Sequence, residues 1–277
     1  LVYAGFPTEL HQSTWCTEKA IEFIEQDRKS PWLLSLNFYD PHHPFDPPEE
    51  YLKRYDPDNL PSPTYREGEL ENKPVYQQVD TKGAYGGNGV SFADTTDKQH
   101  REITAAYYAM IELLDDCIGK ILDSLEKTGQ LENTLIVYMS DHGEMLGDHG
   151  IYCKGPHFYE GAVKVPLILN WPEHFAKNLR QDGFVELMDV APTLLEAAGL
   201  PIYEGMQGTS FLKACTDPKT PFEGKKQVYC EYYNSLRAHK ERGGAYGTMI
   251  REKRYKVVIY HGIETGELYD LEQDPNE

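Results

Sequence analysis

Apolar residues first recur at helical spacing over residues 10–29, where Cys16, Ala20, Phe23 and Ile24 share a face and Ser30-Pro31 stops the helix. The next stretch, "WLLSLNFY" from Trp32, is an almost unbroken apolar run of strand length, the pattern of a strand covered on both faces. Residues 56–96 keep no period and are rich in Pro, Gly, Asn and Asp; a stretch that long in a compact protein reads as a functional loop or insertion. A long amphipathic helix is predicted over residues 97–127, its stripe formed by Ile103, Tyr107, Met110, Leu114, Ile118, Ile121 and Leu125, with Gly129 placed to end it. "TLIVYMS" and "VPLILNW" read as two further buried strands, and "VAPTLLEAAGLP" as a short helix stopped by Gly199 and Pro201.

Helices alternating with strands buried on both faces give an α/β fold with a mostly parallel sheet flanked by helices. Beyond Phe222 the pattern changes. "QVYCEYY", "YGTMIRE", "YKVVIYH" and "GELYDLE" are short, turn-separated and partly alternating, which predicts a small C-terminal antiparallel-sheet subdomain. The expected division is a core over residues 1–222 and an α+β subdomain over 223–277.

Composition narrows the functional classes. Lys+Arg 27 against Asp+Glu 45 gives a net charge of −18, which argues against nucleic acid or an anionic membrane as partner. A small anionic substrate stays open, because a few local cations and a metal decide that. No apolar run approaches the roughly 18 residues needed to cross a bilayer, and no signal-peptide pattern opens the chain. The five cysteines are widely spaced, odd in number and lack a C-x-x-C pair, which disfavours a zinc–cysteine site or a disulfide framework and favours a reducing, cytoplasmic setting. The first residue is Leu1 and the last residues are polar, so a fragment of a longer chain is expected.

Ligands in open α/β sheets collect at the carboxyl ends of strands. "SDHGEMLGDHG" follows one strand and "DPHHPFDPP" another, so the sheet would bring Asp141 and His142 to the same rim as Asp40, His42 and His43. Asp141 offers oxygen to a hard cation, His142 an imidazole nitrogen, and Gly143 a tight turn beside the ion. The same residues also suit an Asx-type turn with a surface histidine. Asp148 and His149 are possible further ligands or part of a solvated loop. In "PHHPF", flanking prolines predict an extended loop with His42 and His43 pointing in different directions, one of them able to face a shared site. Lys154, ahead of Gly155-Pro156, is either an exposed lysine or a cation for a sulfate or phosphate oxygen.

Taken in order, "PHHPF", "SDHGEMLGDHG" and "KGPHFYEGAVKVPLILNWP", with "DVAPTLLEAAGLP" and the closing "REKRYKVVIY…GELYDLEQDPNE", resemble the sulfatase family of the alkaline phosphatase superfamily. The resemblance implies an alkaline-phosphatase-like fold and a sulfuric ester hydrolase. It implies that Asp141 and His142 bind a divalent cation, calcium first, with magnesium or manganese as alternatives. His42 would contact the sulfate ester and act as acid or base, Lys154 would bind the sulfate and support the leaving oxygen, and His157 would line the pocket. The substrate would be a sulfated small molecule or carbohydrate. One departure stands out: none of Cys16, Cys117, Cys153, Cys215 or Cys230 begins C-x-P-S-R, the formylglycine motif, and no acidic pair precedes "PHHPF". The nucleophile is therefore expected upstream, and the chain alone is expected to be inactive. Two other readings remain: a phosphodiesterase or phosphonate monoester hydrolase of the same superfamily, and a non-catalytic carbohydrate- or metal-binding protein on the same scaffold.

Overall fold

The computed structural model describes Val2, residues 5–217, Phe222, and residues 224–235 and 238–277. Its elements are α1 (Gln12–Ile24), α2 (Glu49–Leu52), α3 (Val75–Asp80), α4 (Ala84–Gly87), α5 (Asp97–Lys127), β1 (Ile136–Met139), α6 (Glu160–Val163), β2 (Leu167–Asn170), α7 (Val190–Ala197), α8 (Leu212–Thr216), and strands β3 (Val228–Tyr233), β4 (Tyr246–Arg251), β5 (Tyr255–Tyr260) and β6 (Gly266–Asp270).

The long helix α5 has the bounds its pattern predicts. Thr96 and Gln99 close a capping box at its start, so the first turn's amides are satisfied before the apolar stripe begins. Ile103, Met110, Leu114 and Leu125 of that stripe are buried, and Ala105, Ala106 and Ala109 let neighbouring elements approach closely. α1 packs on α5, and α2 lies on it through Tyr51, which joins Ala109, Leu113 and Cys117 in one cluster.

The expected sheet differs. Among the described residues β1 and β2 pair antiparallel, Ile136 opposite Asn170 through Met139 opposite Leu167, and no parallel strand ladder is present. Residues 32–39 have no strand partner among the described residues, and their exposure alternates, with Leu33 81% exposed. The physical reason is the lack of neighbours: burying both faces of a strand takes strands alongside and a layer on either side, and each of these segments has at most one strand beside it.

The C-terminal strands form the predicted antiparallel sheet in the order β3-β4-β5-β6. Along β5 the alternation is complete, with Lys256, Val258 and Tyr260 inward and Tyr255, Val257 and Ile259 outward. The inner face shares its core with residues outside the sheet: Met249, Val258, Tyr260 and Tyr269 pack against Tyr76, Met145, Phe158 and Tyr159.

Lys256 sits inside that core with a fully buried side chain. Its ammonium donates to Glu277 Oε1 at 2.5 Å and the Phe158 carbonyl at 2.6 Å, and lies 3.0 Å from Glu160 Oε1. Burial would raise the Glu160 carboxyl, but Lys256 and Arg251 outweigh it and hold the group below its ordinary range. Removing one member of such a cluster leaves the others charged and buried. Lys256→Met is expected to cost about 3 kcal/mol of stability, read from the urea midpoint, and a loss under about 1 kcal/mol would show that the cluster does not hold the sheet in place.

Candidate active site

The turn after β1 is fixed by backbone contacts that only glycine allows. Gly143 donates to the Ala162 carbonyl at 2.8 Å, and a Cβ there would lie 2.0 Å from the Gly161 carbonyl oxygen. This places Asp141 and His142 at the mouth of a loop that returns to Lys154. The Asp141 side chain is 87% exposed, and its Oδ2 lies 3.7 Å from His142 Nε2. His142 Nδ1 faces the Gly143 carbonyl at 2.8 Å. With the proton on Nδ1 donated to that carbonyl, the Nε2 lone pair is directed outward beside the carboxylate, the arrangement a metal-ligating histidine takes. A carboxylate oxygen and an imidazole nitrogen at this spacing can meet one divalent ion.

His42 faces them. Its ring centroid is 6.1 Å from that of His142, and its Nε2 is in hydrogen-bond contact with Lys154 Nζ. His42 Nδ1 contacts the His43 carbonyl at 2.6 Å, so the proton belongs on Nδ1 and the Nε2 lone pair accepts from the Lys154 ammonium. Burial lowers the His42 pKa, the His43 carbonyl opposes this, and the charges on Lys154 and His142 add to the lowering. Burial likewise lowers Lys154, against the raising influence of Cys153, Glu144 and Asp141. The lysine and histidine thus share a proton-handling contact in which neither carries its ordinary basicity.

The two histidines of "PHHPF" do not diverge as an extended loop would require. The segment is a turn, with the His42 amide donating to the Tyr39 carbonyl at 3.1 Å, and the two rings stack at 4.1 Å. His43 reaches back toward Cys153 Sγ at 3.5 Å, and burial, with the neighbouring positive groups, drives its pKa down to about 4. Asp40 leaves the rim altogether: it is buried and accepts from Ser13 and Gln12 at the start of α1.

Asp148 and His149 bind the insertion. Thr64 donates its amide to Asp148 Oδ1 at 2.7 Å, and the His149 ring stacks on Tyr159 at 3.9 Å. His157 is buried, its Nε2 donating to Asp80 Oδ2 at 2.8 Å, so it holds the Lys154 turn from behind and its ring has no exposed face.

Two residues that the sequence reading passed over organise this site. Glu144 lies inside the loop and accepts the amides of Leu146 and Cys153. Asp80, from the stretch without period, accepts from His157 and from the Gly86 amide at 2.7 Å, with His239 Nε2 3.2 Å away. For Glu144 a signal existed: an acid two residues after a candidate ligand pair, in a loop of glycines. For Asp80 none did, since its partners are 77 and 159 positions distant in sequence.

A groove of about 1200 Å³ runs from Asp141 and His142 across β2, walled by Leu169, Phe175, Phe184, Met188 and Phe211. Charged side chains, among them Glu160, Lys164, Arg180, Glu186 and Arg251, line it beside these apolar ones, and neither His42 nor Lys154 does.

The family model for sulfatases matches residues 9–200, and that for the N-sulphoglucosamine sulphohydrolase C-terminal region matches residues 147–277. The chain belongs to the sulfatase family. An arylsulfatase of Clostridium perfringens is 30% identical over 99% of this chain and 54% of its own length. An N-acetylglucosamine-6-O-sulfatase of Bacteroides thetaiotaomicron is 34% identical over 65% of this chain and 32% of its own length. Among solved structures, the phosphonate monoester hydrolase from Silicibacter pomeroyi superposes with a TM-score of 0.86 at 25% identity, over 97% of this chain and 55% of that one. The fold is therefore that of the alkaline phosphatase superfamily, and the chain spans about half the length of the first of these relatives and of the solved structure. Within this chain, the turn after residues 32–39, the turn after β1 and the Lys154 turn bring the matching motifs to one place.

Asp80 carries a buried charge behind this arrangement. Burial pushes its carboxyl up, but the two imidazoles and the Gly86 amide outweigh burial and leave it at about 2. A depressed folded-state pKa adds stability that is present above the ordinary carboxylate value and is lost as pH falls toward about 2. Asp80→Asn is expected to cost about 2 kcal/mol near neutrality. It should also flatten the wild type's decline between about pH 4 and pH 2 in urea midpoints taken across that range. An unchanged acid slope would refute the assignment.

Proposed function

We propose that this sulfatase-family chain is the C-terminal half of a sulfuric ester hydrolase, with Asp141 and His142 holding a divalent cation and His42 and Lys154 handling the ester. The observation that carries this reading is the contact between His42 Nε2 and Lys154 Nζ, beside an outward-facing Asp141–His142 pair. Calcium suits the exposed carboxylate best, with magnesium or manganese as alternatives. The cation, when bound, supplies positive charge for the sulfate oxygens.

The roles of the side chains follow from their protonation. The Lys154 ammonium donates to His42 Nε2 in the resting site. An arriving sulfate ester oxygen is a stronger, anionic acceptor and takes that hydrogen bond, which places Lys154 against the charge that grows on the leaving oxygen. The His42 Nε2 lone pair is then released to take a proton from an attacking or resolving hydroxyl, while the bond from Nδ1 to the His43 carbonyl keeps the ring in place. The nucleophile itself, a formylglycine in this reading, is supplied by residues outside these 277. The substrate is a sulfated small molecule or carbohydrate, in keeping with the arylsulfatase and the amino-sugar sulfatase among the relatives.

The resemblance in structure to a phosphonate monoester hydrolase supports a second reading, in which the same groups serve a phosphonate ester or phosphodiester. Both esters present anionic oxygens to Lys154, so relative turnover decides. The complete enzyme is expected to favour an aryl sulfate over an aryl phosphonate in kcat/KM, and the reverse preference would establish the second reading.

In the complete enzyme, Lys154→Ala is expected to lower kcat on the aryl sulfate by roughly 10²–10³-fold, the usual loss for one transition-state donor. His42→Ala should cost roughly 10²–10⁴-fold. Losses under about tenfold in both variants would remove these residues from the chemistry. The 277-residue chain by itself should release nitrophenol from nitrophenyl sulfate at the uncatalysed rate, and a measured turnover would show that it contains its own nucleophile.

A further inference from the structure

A second donor set lies behind His42 and Lys154, and the hydrolytic reading gives none of it a contact with the ester or the hard cation. His43, Glu144 and Cys153 each offer one ligand atom, and these atoms all lie within 4.8 Å of one another. His43 Nδ1 and Cys153 Sγ are 3.5 Å apart. In a tetrahedral zinc site, bonds of about 2.3 Å to sulfur and about 2.0 Å to nitrogen put those two atoms about 3.5 Å apart.

The three groups are held there by different parts of the chain. His43 comes from the "PHHPF" turn, stacked on His42 and against Tyr85, whose ring centroid is 5.7 Å away. Cys153 takes a positive φ of 64°, which turns the residue at the end of the loop, and its amide is tied to Glu144. The thiol is wholly buried, and the Tyr85 hydroxyl is buried without a hydrogen-bond partner.

We propose that His43, Glu144 and Cys153 form a binding site for a borderline-soft divalent ion such as zinc, separate from the hard-cation pair Asp141–His142. Donor chemistry separates the two. A thiolate with an imidazole is a poor match for calcium and a good one for zinc or cobalt, whereas an exposed carboxylate with an imidazole and no sulfur lacks that preference. The charge also balances: one thiolate and one carboxylate neutralise a divalent ion in a position where net charge is costly. On binding, the metal–sulfur bond forms as the Cys153 S–H bond breaks and its proton passes to solvent. His43 keeps its proton on Nε2 and offers the Nδ1 lone pair. No electron changes hands. Because Cys153 is next to Lys154 in the chain, an occupied site would set a divalent ion beside the sulfate-binding lysine.

Cobalt(II) is the probe, since a cobalt–thiolate bond gives a near-ultraviolet charge-transfer band that oxygen and nitrogen ligands do not. Titrated into the protein, Co²⁺ is expected to produce that band, saturating at one equivalent. It should vanish in Cys153→Ser and persist in Cys230→Ser and Asp141→Asn. His43→Ala, at a half-buried position, repeats the test without touching the thiol and should weaken Co²⁺ binding by at least about tenfold. Circular dichroism on each variant establishes that it is folded. Absence of the band in the folded wild type would overturn the proposal. So would its survival in Cys153→Ser, its loss in Asp141→Asn, or unchanged affinity in His43→Ala.

Discussion

One carboxylate inside a loop sets the geometry on which the site depends. Glu144 accepts the amides of Leu146 and Cys153, closing residues 144–153 on themselves, while Met145 donates to the Cys153 carbonyl at 3.0 Å and Gly147 to the Ile151 carbonyl at 2.9 Å. Burial raises the Glu144 pKa against the pull of those two amides, Lys154 and His142. A buried acceptor in that state is tolerated because the loop would otherwise bury unpaired amides, each costing about 1–3 kcal/mol. Asp141 and His142 stand before the closed loop and Lys154 after it. The Asp141–His142 pair and Lys154 are therefore the two ends of one clasp, and their separation is a property of Glu144 more than of either flanking element.

A second tie holds the clasp to the rest of the chain. α3 presents Tyr76, Gln77 and Asp80 toward three segments at once. Tyr76 donates to the Gly244 carbonyl at 3.2 Å, Gln77 donates to Glu267 at 2.9 Å and accepts from Tyr159 at 2.8 Å, and Asp80 receives His157. These contacts are mostly charged or dipolar and lie beneath a buried aromatic layer that includes Tyr159, Tyr260 and Tyr269, where hydrogen bonds are stronger than in water. The insertion thus works as a strap. It joins the Lys154 turn to the C-terminal sheet, which carries none of the proposed chemistry itself.

How far the sequence discloses this depends on whether a feature is local. α5 can be read to the residue because its apolar stripe, capping box and terminal glycine all lie within its own stretch. The C-terminal strands are equally legible, since alternation over β5 reflects a face that this chain itself covers. The apolar run at Trp32 misleads for the same reason in reverse: its composition describes an environment with strands alongside, and among the described residues none pairs with it. Within the site, motif order names His42, Asp141, His142 and Lys154, and the fold sets His42 beside both Lys154 and His142. His157, carried by the same motif, is buried and faces Asp80. No periodicity could have paired His157 with an acid in a segment that has no period.

The distribution of burial explains how a chain with a net charge of −18 can receive an anion. Asp141 is exposed, so its negative charge is screened by water until an ion replaces that water. Lys154 is half-buried between a histidine and a tyrosine ring 5.4 Å from its ammonium, where its field is screened less. Most of the other acids are not buried, and the fields of those on the surface decay over roughly 8–10 Å at physiological salt. In the proposed reading, a sulfate ester at the rim would meet one weakly screened cation and an exposed pair able to hold a second. Local attraction at that point outweighs the general repulsion, which salt screens over that distance.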